Sequence, residues 1–236
     1  MAAGLVAGLS LLTKDVMLFY FPFVVFWFFL WKETWKARFF RAGVFLIGFL
    51  AAVGPWMIRN SLMTGHLVFI MVSAGHTFYF GNNADFSGGR TGGDLEFGRD
   101  SVYPQAPDQP PLYTVEADRY LFRKAVRFIW SHPRRVVGLM GLKILNMWRP
   151  YQTDSPLFAQ WAAALTYLPV LGLGLFGMFQ NRNRWMELFP VFSLVAYFFC
   201  IHIILIAVIR YRYPVMPFFM VFAAASLRRF SCASSS

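Results

Sequence analysis

The sequence predicts an all-α protein, a polytopic transmembrane helical bundle that carries one extracytoplasmic loop domain. Three observations point there. The 236 residues are 58% hydrophobic and 19% aromatic, with a mean hydropathy of +0.50. That is too apolar for an ordinary soluble domain. Ala42–Ile58, Pro156–Phe179 and Leu188–Ile209 carry no Asp, Glu, Lys or Arg. Each is near the roughly 20 residues a helix needs to cross the hydrocarbon core, where the backbone must bond to itself. Basic residues gather between these stretches, as the positive-inside bias requires of cytoplasmic loops.

In chain order, Met1–Leu12 comes first. It lacks a basic leading region and a clear cleavage site, so it does not read as a signal peptide. It resembles the second half of a helix, and the chain is expected to be the C-terminal part of a longer protein. Val16–Trp31 contains Pro22 and is short for a span. It pairs with Met1–Leu12 as two short helices, joined by an outward-facing turn at Thr13-Lys14-Asp15.

The loop Lys32–Arg41 holds four basic residues and one acidic. Gln180–Glu187 is also basic, and the tail carries Arg228 and Arg229. All three are expected on the cytoplasmic side. Ala42–Ile58 then runs outward, Pro156–Phe179 inward, Leu188–Ile209 outward and Tyr211–Ser226 inward. The predicted domains are transmembrane helices over 1–58, an extracytoplasmic loop domain with interfacial helices over 59–155, three transmembrane helices over 156–229 and a cytoplasmic tail over 230–236. The expected location is the bacterial inner membrane, crossed several times.

Within the loop domain, Gly81–Gly98 is rich in turn formers and Pro104–Pro111 is a proline connector. Thr114–Ser131 reads as a helix, with Thr114 as N-cap and His132-Pro133 as its end. Arg134–Trp148 is a second apolar and basic helix. Treating it as a span would reverse the three downstream basic segments, so it is expected on the outer membrane surface. Tyr103, Tyr113, Trp130, Trp148 and Tyr151 suit that interface.

The formal net charge is +11. No arginine-rich block interleaves with aromatics on a polar face, so the charge speaks for lipid headgroups and against nucleic acid. HExxH, P-loop and GxSxG motifs are missing. Neither the two cysteines, Cys200 and Cys232, nor the four histidines show metal-ligand spacing. His202 falls inside a span. It is either a functional ionisable group or a neutral imidazole bonded to a neighbouring helix. Asp85, Asp94, Glu96 and Asp100 could bind a divalent cation or supply a base, or serve solubility alone. Asp15 beside Lys14 reads as a local ion pair or cap. Arg119, Arg123 and Arg127 form an i, i+4, i+8 stripe, suited to anionic headgroups or to plain solvation.

Lys14, Arg59 and the pair Arg210 and Arg212 share the outer boundary of this topology. There they would meet the phosphate of a lipid-linked substrate, gripped bidentately by guanidinium and as a point charge by lysine. The alternative is that they are snorkelling helix ends.

The string Gly8-Leu9-Ser10-Leu11-Leu12-Thr13-Lys14 is similar to the GLxxLTK helix end of polyprenol-phosphate-dependent GT-C membrane glycosyltransferases, the group of protein O-mannosyltransferases and aminoarabinose transferases. Pro55-Trp56-Met57-Ile58-Arg59-Asn60 looks like their PWxIRN span exit. Gly81-Asn82-Asn83 looks like their GNN, and Arg210-Tyr211-Arg212-Tyr213-Pro214 like their RYRxP. The order fits across nearly the whole chain. The resemblance implies transfer of a sugar from a polyprenyl-phosphate donor to a lipid, protein or glycan acceptor on the extracytoplasmic face. Lys14, Arg210 and Arg212 would neutralise the donor phosphate, while Arg59, Asn82 and Asn83 would shape the acceptor side. The family's catalytic carboxylate lies in a first outer loop; nothing before Lys14 is acidic, so that role carries over to no residue here. No cofactor follows from these motifs, though a divalent cation is compatible with them. Two other functions fit the composition. A lipid-linked-oligosaccharide transporter would need polar residues along its spans, which are few here apart from His202. A non-catalytic membrane subunit would pack against a separate catalytic chain.

Overall fold

The computed structural model describes residues 1–84, 86, 114–151 and 155–233. The described residues are helices joined by turns, with no strand among them. Three helical segments, Trp35–Thr64, Leu157–Gln180 and Arg182–Ile204, are long and apolar enough to cross a membrane. They mark the chain as a membrane protein.

The chain divides into two compact units. The first holds Met1–His76 together with residues 114–124; the second holds residues 77–84, 86 and the described residues from 125 on.

The first unit is built on α1 (Ala2–Thr13), α2 (Phe21–Leu30) and α3 (Trp35–Thr64). α1 and α3 approach closely because glycine leaves no side chain at the contact. A Cβ on Gly4 would lie 2.0 Å from the Phe45 carbonyl oxygen, and one on Gly48 would lie 2.4 Å from that of Met1. Gly8, one turn beyond Gly4, meets Ala52 and the Phe49 carbonyl. Small residues four apart commonly bring membrane helices together in this way. Leu11, Phe21, Phe45 and Val53 close the core beside them. Lys14 breaks α1 in an extended conformation, and a 3-10 turn over Asp15–Phe19 leads to Pro22 in the first turn of α2. A break falls at the expected Thr13-Lys14-Asp15, but the second helix begins at Phe21 rather than Val16.

The boundaries of α3 differ from the expectation. The basic segment Lys32–Arg41 is not a loop throughout: Thr34 caps the helix by accepting from the Ala37 N–H, so Lys36, Arg38 and Arg41 ride its first turns. Arg41 reaches back to Glu33 at 2.8 Å. At the other end the helix passes Pro55 and Arg59 and stops only at Gly65, whose φ of +67° suits a residue without Cβ. Arg59 therefore sits on a helix, not past its end.

Two further helices run from the first unit into the second, α4 (Ala74–Gly81) and α5 (Val115–Ser131). Thr114 caps α5 as expected, accepting from the Ala117 N–H at 3.1 Å. His132 alone separates α5 from α6 (Pro133–Trp148), and Pro133 opens the new helix, so the break falls where expected.

The second unit continues with α7 (Leu157–Gln180), α8 (Trp185–Ile204) and α9 (Met216–Ala233). α7 and α9 pack through Gly174 and Gly177, whose Cβ positions would fall 2.8 Å from the Phe219 carbonyl and 2.3 Å from that of Phe222. Ser226 of α9 donates to the carbonyls of Leu173 and Phe222. The basic turn between α7 and α8 is tight; Asn181 donates to the Gly177 carbonyl at 2.8 Å.

Two expected spans are interrupted. Leu188–Ile209 ends as helix at Ile204. Tyr211–Ser226 begins with a 3-10 turn over Ile209–Val215 and becomes α-helical only at Met216. The first break is capped by side chains that arrive from other elements.

Candidate functional site

The end of α8 shows how. Leu205 has φ −82° and ψ −96°, so the helix cannot continue. The exposed carbonyl of Ile204 is taken by Asn82 Nδ2 at 2.9 Å and by Lys143 Nζ at 3.4 Å. Asn82 Oδ1 accepts from the same ammonium at 3.1 Å. Gly81 lies directly against Leu205; a Cβ there would sit 1.8 Å from the Leu205 oxygen. A helix end leaves carbonyls unpaired, and one buried without partners is costly. Gly81 and Asn82 therefore work as a cap supplied from another element. Asn83 is buried too, and its amide donates to the carbonyls of Tyr79 and Phe80 at the end of α4.

Lys143 is fully buried on α6. Among the described residues its amine faces Asn82, the Ile204 carbonyl and the ring of Phe86, with no carboxylate in its company. Burial alone pushes its pKa down from 10.5 to about 7. It was visible in the sequence only as one lysine in an apolar helix.

The Arg-Tyr-Arg-Tyr-Pro segment forms the 3-10 turn that follows. Its two arginines part company. Arg212 is buried: its Nη1 donates to the Met147 carbonyl at 3.2 Å and to that of Arg149, and the guanidinium stacks 3.8 Å from the centre of the Tyr167 ring. It ties the turn to the end of α6. Arg210 is exposed, with its guanidinium 5.4 Å from the Tyr211 ring centre. Tyr211 in turn stacks on His202 at 4.6 Å. His202 donates through Nδ1 to the Phe198 carbonyl at 2.7 Å and is buried between aromatic faces. That bond lies within its own helix rather than to a neighbouring one.

The remaining candidates belong to the first unit. Lys14 is half-buried at the end of α1. Arg59 is exposed, donates to the Asn60 side chain at 3.2 Å and lies 5.0 Å from the Trp56 ring centre. Trp56 and Asn60, one turn apart, both donate to the Ile70 carbonyl, at 3.1 and 2.6 Å. The Pro-Trp-Met-Ile-Arg-Asn string thus fastens the chain after Gly65 back onto α3 and leaves Arg59 outward.

The structure brings Asn82 and Lys143 together, and it engages Arg212 with backbone carbonyls. Of the cations expected at a phosphate, Arg210 and Arg59 are the exposed ones. Asp85, Asp94, Glu96 and Asp100 lie outside the described residues, and among the described residues no three His, Cys, Asp or Glu gather as a metal site. The chain matches no known family model, no curated protein and no solved structure.

Proposed function

We propose that this chain forms part of a multi-pass GT-C-type glycosyltransferase of the bacterial inner membrane, which moves a sugar from a polyprenyl-phosphate donor to an extracytoplasmic acceptor. The donor's anomeric carbon–oxygen bond breaks and its electron pair leaves on the phosphate. The acceptor oxygen bonds to the anomeric carbon and gives its proton to a base that is not assigned to any residue here. Fixed cations at the leaving phosphate stabilise the charge that develops there.

The observation that supports this reading most is the division of labour in the 3-10 turn. Arg212 is tied inside to the α6 carbonyls, and this steadies a turn that presents Arg210 outward. A stiff turn presents a guanidinium without the ordering cost of a mobile loop. In this reading Arg210 contacts the phosphate and Arg212 adds charge from behind.

The test is transfer from radiolabelled polyprenyl-phosphate sugars by the full gene product in membranes. Arg210→Ala should slow transfer by about 100-fold, the usual loss when one stabilising donor is removed from a transition state. Arg212→Ala should slow it as well, with some loss of folded protein. Wild-type rates in both variants reject the proposal.

A further inference from the structure

The mechanism above does not use α5, whose two faces differ sharply. Ala117, Leu121 and Ala125 follow each other at i, i+4, i+8 and are buried to 1% exposure or less. On the opposite side Arg119, Arg123 and Arg127 repeat the same spacing and are exposed. Trp130 lies on that side as well and is 82% exposed. At 1.5 Å rise per residue the three guanidiniums span about 12 Å along an unbroken helix.

The acidic residues of α5 do not neutralise this stripe. Asp118 accepts from the His76 backbone N–H at 3.0 Å, and Glu116 faces His66 at 3.7 Å. Among the described residues no carboxylate pairs with Arg119, Arg123 or Arg127.

We propose that this face of α5 docks on an anionic lipid surface. The helices that can cross the bilayer belong to the same chain, so a headgroup layer is always within its reach. A row of arginines matches the negative charge of that layer, and guanidinium pairs with lipid phosphate through two hydrogen bonds. Trp130 suits the headgroup level, with an apolar ring and one N–H to satisfy. A surface that served only solvation would gain nothing from an 82% exposed tryptophan among its arginines.

The full chain is reconstituted in bilayers of phosphatidylcholine alone or with one third phosphatidylglycerol. A nitroxide is placed on Phe122→Cys, or separately on Trp130→Cys, in a Cys200→Ala, Cys232→Ala background. Collisions with oxygen and with a water-soluble nickel chelate report its depth. With phosphatidylglycerol the label at position 122 should lie at headgroup depth. Each arginine near a charged surface strengthens attachment about fivefold, so Arg119→Gln, Arg123→Gln, Arg127→Gln together should weaken it on the order of 100-fold and return the label to water. High salt should do the same. Labels that stay in water in every bilayer overturn the proposal. So do labels held at the interface without phosphatidylglycerol and without the arginines, because apolar contact alone would then explain the depth.

Discussion

Lys143 offers the sharpest energetic test of the architecture. Its amine is fully buried with an amide oxygen and a backbone carbonyl for company. Its pKa falls from 10.5 in the unfolded chain to about 7 in the folded one. One pKa unit is 1.36 kcal/mol, so holding the charge inside costs about 5 kcal/mol. The folded pKa lies below the unfolded one. Between pH 7 and 10.5 the unfolded chain therefore binds the proton more tightly, and stability rises with pH by at most about 1.4 kcal/mol per unit. The full cost is present below pH 7 and gone above 10.5.

Lys143→Met removes the titration and keeps the volume. It also leaves Asn82 Oδ1 without its lysine donor, worth about 1–3 kcal/mol. The Ile204 carbonyl keeps its bond from Asn82. The variant should thus be more stable than wild type at pH 7 and equal or less stable at pH 10. Unfolding in mixed micelles, followed by helical circular dichroism at several pH values, measures the difference. A difference between the two proteins that stays constant from pH 7 to 10 would refute the reasoning, because no buried amine would then be titrating.

Four other outcomes follow from contacts described above. Gly81→Ala should cost about 3 kcal/mol or more in the same unfolding assay, because the new methyl meets the Leu205 backbone oxygen at 1.8 Å and neither side is a flexible tip. Arg210→Ala should leave stability within about 0.5 kcal/mol, as for most surface changes. Arg212→Ala should cost about 2–3 kcal/mol by stripping the Met147 and Arg149 carbonyls of a charged donor, and equal stabilities in the two variants would remove the clamp from the account. Asn60→Ala should expose the amides just after Gly65 to faster hydrogen exchange, since the Ile70 carbonyl then keeps only the Trp56 bond.

Helix type and approximate position were legible in the sequence wherever the signal is local. Thr114 as a cap, His132-Pro133 as a break and the long uncharged runs each act within a few residues of themselves. Local signals failed at the ends of helices held by distant partners. The uncharged run through Ile209 reads as one helix, yet it stops at Ile204 because Asn82 and Lys143 arrive from elsewhere to satisfy its last carbonyl. The apolar run before Lys14 reads simply as a short helix, although Gly4 and Gly8, four apart, mark the face on which it presses against α3.

Charge shows the same limit. A basic residue near a span end reads as a boundary marker or a ligand, and both readings fit Arg210 and Arg212 equally well. Two residues apart, one points out and one is sealed against carbonyls of α6 and the ring of Tyr167. Amino-acid order alone determined that this is a helical membrane chain, because transfer of apolar side chains and internal backbone bonding depend only on composition and run length. The fate of each polar group was decided by tertiary structure, because a buried amide, amine or guanidinium must find its partner wherever the fold happens to bring one.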